Sequence, residues 1–125
     1  MRVEHRRYAR YLPRKNAFAA LGSKYNRVGK IIDISLGGLA FEYISGENSC
    51  SNSLEVDIFL VDNVYHLYNI PCKMLYDMQI HVPHVNNKLI KILTIKRCGV
   101  QFGELSDYDL SQLKLFLEGY TIGLA

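Results

Sequence analysis

A chain of 125 residues, 49% apolar and 22% charged, is long enough for one domain with a single core and too short for a second of comparable size. That balance excludes a disordered or fibrous chain. No apolar run approaches the roughly 18 residues of a membrane span and no secretory stretch follows the basic start, so the expectation is a cytoplasmic protein without membrane insertion. The net charge of +3 conceals an asymmetry: nine of the 15 Lys and Arg fall in residues 1–30 beside one acid, Glu4, and the remainder is acidic, which points to an anionic partner.

In chain order, residues 1–15 (MRVEHRRYARYLPRK) form a basic arm with little apolar surface of its own, expected to be mobile until a ligand orders it, and residues 16–125 form the folded body. Two β-rich runs, Val28 to Ser35 and Leu39 to Ile44, are divided by Gly37 and Gly38, which reads as a hairpin turning on positive-φ glycines. After the polar loop of residues 45–53, Leu54, Val56, Ile58 and Leu60 alternate with Glu55 and Asp57 in the period of a half-buried strand. The same period places Val64, Tyr68, Ile70, Cys72, Met74 and Tyr76 on one side of the next run, with Pro71 marking an edge or bulge. KLIKILTIKRCGVQF supplies the last long β run, bent near Gly99. Leu110, Leu113, Phe116 and Leu117 then change to helical spacing behind a Ser106/Asp109 start and before Gly119. Many antiparallel strands and one terminal helix predict a mainly β protein, a small barrel closed by that helix.

Enzyme chemistry finds no constellation among the four histidines, three cysteines and scattered carboxylates, and neither catalytic residues nor a cofactor is expected. His81 and His84 lack a third ligand at metal-site spacing. Cys50, Cys72 and Cys98 are odd in number and widely spaced, which suits reduced thiols, and alternation turns Cys98 toward the core. Two groups carry no obvious structural duty. Arg6, Arg7 and Arg10, with Tyr8 and Tyr11 interleaved, offer planar donor forks for phosphate or a guanine edge, or else a solvated basic tail. Asp33 and Ser35 project from one face of a strand ahead of Gly37 and Gly38, where a carboxylate accepts guanine protons, or else they belong to a plain hairpin. Of the tyrosines, only Tyr8 and Tyr11 are read as free to stack on a ligand; Tyr65, Tyr68 and Tyr76 are read as packed.

Taken together, RxxxR (Arg6, Arg10) followed by DxSxxG (Asp33, Ser35, Gly38) resembles the signature of the PilZ family, and the late CGVQFGELS resembles the end of a PilZ barrel. The resemblance covers nearly the whole chain. It implies a six-stranded antiparallel PilZ-type β-barrel with a C-terminal α-helix, acting as a bacterial receptor for the second messenger cyclic di-GMP and signalling to an effector protein. It further implies that Arg6 and Arg10 grip phosphates and guanines, with Arg7 as an additional candidate, and that Asp33, Ser35 and Gly38, with Gly37 beside them, lie against a guanine edge. Two other readings stand beside it: a barrel that binds single-stranded nucleic acid through a basic aromatic arm, and a PilZ-like interaction module that binds no nucleotide.

Overall fold

A computed structural model describes residues 8–22, 27–45, 55–62, 65–80 and 94–125. Its strands are β1 (Tyr11–Pro13), β2 (Ala17–Leu21), β3 (Arg27–Ile34), β4 (Gly38–Ser45), β5 (Glu55–Leu60), β6 (His66–Gln79) and β7 (Thr94–Phe102). They are followed by helix α1 (Asp107–Gly119) and a final strand, β8 (Thr121–Leu124). All pairings are antiparallel. The order β2-β5-β6-β7-β4-β3 closes on itself through a β2–β3 pairing, so six strands make the expected barrel while β1 and β8 form a ribbon added beside β3.

Alternation builds the interior. On β4, Leu39, Phe41 and Tyr43 point inward, opposite Val100 and Cys98 of β7, and join Ile31, Val56, Ile58 and Ile70 in one core. Helix α1 covers the barrel with Leu113 and Phe116, both almost fully buried. Its first turn is capped as the sequence predicts, the Asp109 N–H donating to Ser106 Oγ at 3.1 Å. Tyr65 fastens the helix to the barrel: its ring packs on Phe116 at 5.2 Å between centroids and its hydroxyl donates to the Gln112 carbonyl at 3.0 Å.

Two departures from strict alternation reshape the outer surface. The register of β6 slips twice, against β5 between Val56 and Ile58 and against β7 between Met74 and Tyr76. Each irregularity changes which side the following residues face. Tyr68 and Tyr76, read from the sequence as sharing a side with Ile70 and Cys72, are therefore exposed, whereas Ile70 and Cys72 are buried. The first slip also buries Asp57, which accepts from the Asn69 backbone N–H at 2.8 Å and lies 3.2 Å from His66 Nε2; Asn69 itself adopts φ 54°. Pro71 sits where β6 passes from pairing with β5 (Glu55↔Pro71) to pairing with β7 (Cys72↔Phe102), a handover that tolerates its missing donor.

Where β3 and β7 begin, Arg27 is buried and spends its guanidinium inside the fold, donating to Tyr43 Oη at 3.1 Å and to Asp77 at 3.2 Å. One of the basic residues counted toward an anionic partner is thus internal. Cys72 and Cys98 are buried thiols, as alternation predicts for Cys98, and burial pushes them up to about 11 and about 12 respectively. Cys50 lies outside the described residues, as do His81 and His84. Among the described residues no three His, Cys, Asp or Glu side chains gather into a metal site, and no helix is long and apolar enough to cross a membrane.

Candidate functional site

The hairpin joining β3 to β4 is locked by its own short-range bonds. Ser35 N–H donates to the Gly38 carbonyl at 2.8 Å, and Ser35 Oγ accepts from Gly37 N–H at 3.0 Å. The serine hydroxyl is therefore engaged in holding the turn, as hydroxyls often are next to glycine. The glycines are needed for closeness rather than handedness. Neither occupies the positive-φ region assumed from the sequence. Instead, a Cβ on Gly38 would lie 2.2 Å from the Val100 carbonyl oxygen, and one on Gly37 would lie 2.8 Å from Tyr8 Cδ2.

Register carries the site across the outer wall of the barrel. Asp33 pairs with Ala40, Ala40 with Gly99, and Gly99 with Tyr76, giving one cross-strand row over β3, β4, β7 and β6. The two middle members are small, so the row forms a floor walled by Asp33 on one side and by Tyr76 on the other. The Tyr76 ring leans over Gly99, whose missing side chain makes that possible: a Cβ there would be 2.2 Å from Tyr76 Cε2. The next row toward the turn adds Gln101 opposite Gly38. Tyr8 and Arg10 bound the cleft from the arm side, and the open space between these walls is about 430 Å³.

Of the residues singled out in the sequence, Arg10, Asp33, Ser35, Gly37 and Gly38 all line this one cleft. Arg6 and Arg7 lie outside the described residues. Tyr8 lines the cleft and Tyr11 does not; Tyr11 sits in β1. The sequence reading missed Tyr76, Gly99 and Gln101. The signal available was the alternation on either side of Gly99, but the slip in β6 hid the outward turn of Tyr76.

Charge is focused here as well. Partial burial of its ring against the barrel wall raises the Tyr76 hydroxyl above its ordinary value, the neighbouring Asp33 carboxylate adds to the effect, and Arg97 and Arg10 oppose it. Arg97 lies one row below, in an ion pair with Glu42 whose hydrogen bond holds the guanidinium above its usual range. An acceptor, a fork donor and an aromatic ring therefore face a shared space whose floor admits a flat group.

No protein-family model matches the sequence, and no curated protein does either. The fold has relatives among solved structures. The PilZ domain of YcgR from Escherichia coli, determined with c-di-GMP, superimposes with a TM-score of 0.67 over 94% of this chain and 92% of that one, at 14% identity. The chain has the PilZ fold. A K. pneumonia MrkH–c-di-GMP complex gives a TM-score of 0.63 at 17% identity, over 93% of this chain and 52% of MrkH. Full YcgR in complex with c-di-GMP gives 0.59 at 16%, and this PilZ-fold chain spans 44% of it. The cleft lies on the outer wall of this PilZ barrel, where positions not used by the core are free to carry polar chemistry.

Proposed function

We propose that the protein is a receptor for cyclic di-GMP, taking the dinucleotide into the cleft between the arm and the β3–β4 turn. The observation that carries the reading is convergence: Arg10 and Asp33, far apart in sequence, line the same cleft as Gly37 and Gly38. Cyclic di-GMP presents two phosphates and two guanines. Arg10 supplies a fork for phosphate or for a guanine edge, with Arg6 and Arg7 contributing from the arm. Asp33 accepts from a guanine Watson–Crick edge. Ser35 acts by fixing the turn, and the bare glycine backbone lets the ligand come close. Tyr76 offers a ring face for a base beside Asp33.

Binding here has no catalytic step. The mechanism is capture against a cleft that Tyr8 and Arg10 already line, with Arg6 and Arg7 closing on the ligand and the changed surface read by an effector protein. That neighbours such as YcgR and MrkH were determined with c-di-GMP supports the ligand assignment. Calorimetric titration of cyclic di-GMP into the purified protein tests it. Micromolar or tighter binding is expected, weakened about ten- to a hundredfold by Arg10→Ala and by Asp33→Ala, in line with the loss of one charge-assisted hydrogen bond. Excess GMP or cyclic di-AMP should fail to compete. No heat and no stabilisation at saturating ligand would favour an interaction module that works without nucleotide.

A further inference from the structure

The arm that carries Arg10 is held by the other end of the chain as well as by the barrel. Strand β1 meets the barrel strand β3 at one Cα pair, Tyr11↔Ile34. Against β8 it pairs along its whole length: Tyr11↔Leu124, Leu12↔Gly123 and Pro13↔Thr121. The bonding continues past both ends of the ribbon. Ala125 N–H donates to the Arg10 carbonyl at 2.9 Å, and Arg14 N–H donates to the Tyr120 carbonyl at 3.0 Å. The Arg14 guanidinium also lies 5.5 Å from the centre of the Tyr120 ring, which itself packs on Phe116 at 5.7 Å. A continuous run of contacts thus joins the backbone of Arg10, in the cleft, to the buried face of α1.

We propose that Tyr120–Ala125 is the positioning segment of the ligand site, a strap that fixes the backbone at Arg10 so that its side chain addresses the cleft. The inference rests on the cyclic di-GMP reading above and adds a regulator to it. Beyond Tyr120, which packs on the core, the strap is short and weakly buried: Ile122 and Leu124 are 70% and 68% exposed, so releasing residues 121–125 uncovers little of the core. Such segments occupy the low-stability end of a fold. The pairing that closes the six-stranded barrel does not include β8. Occupancy of the cleft and docking of the strap must then favour each other reciprocally: ligand at Arg10 tightens β8, and a partner that draws β8 away releases ligand.

The test compares the unaltered chain, a variant lacking residues 121–125, Gly123→Pro and Ile122→Ser. Proline cannot adopt the φ of 148° found at Gly123 and breaks β8 at full chain length, whereas Ile122→Ser changes an outward side chain and leaves the backbone pairing intact. Cyclic di-GMP affinity, thermal unfolding and hydrogen exchange at Tyr11 and Leu12 are measured together. The expected result is about tenfold weaker binding for the truncation and for Gly123→Pro, as follows if the binding-competent arm is populated about a tenth of the time without its strap. Exchange at Tyr11 and Leu12 should rise in both, the unfolding midpoint should be nearly kept, and Ile122→Ser should bind like the unaltered chain. Equal affinity in all four proteins overturns the strap while leaving the receptor reading in place. Collapse of the barrel on truncation also overturns it, since the segment would then belong to the fold itself. No binding by the unaltered chain overturns the receptor reading, and the strap's role at the ligand with it.

Discussion

The ring of Tyr76 leans over Gly99 so closely that a Cβ built on the glycine would stand 2.2 Å from Tyr76 Cε2. The atom that must move is on a side chain, so Gly99→Ala has an inexpensive escape: the ring swings away and the barrel survives. Ligand affinity is expected to fall about tenfold, with a stability loss of about 1 kcal/mol. In Tyr76→Ala, the further change Gly99→Ala should cost almost no more affinity, because the two residues act as one unit. Titration of the four proteins of this cycle checks it.

The two glycines of the β3–β4 turn should behave differently from one another. Gly38→Ala drives a Cβ toward the Val100 carbonyl, a backbone atom in a paired strand, and is expected to cost about 1–3 kcal/mol of stability in urea unfolding. Gly37→Ala crowds the Tyr8 ring and otherwise comes into ordinary contact with Ser35 Oγ at 3.7 Å, so stability should change by less than about 0.5 kcal/mol while ligand affinity drops.

On the far side of the barrel, buried Asp57 holds the β5–β6 slip together by accepting from Asn69 N–H. Asp57→Ala should lose about 1.5–3 kcal/mol, the range for a hydrogen bond to a charged group. Asn69, at φ 54°, should accept glycine without loss but give up about 1 kcal/mol on replacement by alanine. Neither change touches the cleft. Ligand affinity in the folded fraction should be unaltered, which makes these variants a control for the site substitutions.

Alkaline pH should destabilise the barrel through groups buried in their neutral form. Burial raises Cys98 from its ordinary value of 9.0 to about 12 and Cys72 to about 11, and raises Tyr43 from 10.0 to about 12. An acid whose pKa is higher in the folded state stabilises fully below its unfolded pKa, and that contribution is lost as pH rises toward the folded value. Stability from these groups should therefore be flat up to about pH 8.5 and decline between pH 9 and 12. Denaturant midpoints at pH 7, 9 and 10.5 check the sign. Both thiols should resist alkylation at pH 8 until the protein unfolds.

How far the sequence could be read depended on whether a signal was local. The β3–β4 hairpin, the inward turn of Cys98 and the Ser106 cap were legible, because each rests on alternation or on one side chain bonding its own neighbourhood. A small antiparallel barrel with a helix near its end was legible from alternation and the change of period, and its PilZ type from the resemblance that RxxxR and DxSxxG carry. What escaped notice depended on partners distant in sequence. Tyr76 faces outward because of a register slip against β7, and nothing in the Met74 to Tyr76 stretch announces it. Strands β1 and β8 are too short and too irregular to be recognised singly, and each is defined by the other. Gly37 and Gly38 were located correctly but for the wrong reason: their need comes from Tyr8 and Val100, not from their own dihedral angles.

The outward row Asp33, Ala40, Gly99 and Tyr76 has a consequence for how this sequence can change. Every strand of the wall interleaves two texts: the inward residues spell out the core, and the outward ones spell out the cleft. Substitutions in one need not disturb the other, provided the small residues that bring strand and ring together are kept. Very different sequences can then share one shape, as this chain and the PilZ domain of YcgR do at 14% identity. Change in what the cleft can hold would fall on the outward text and on Tyr8 and Arg10, which bound it from the arm.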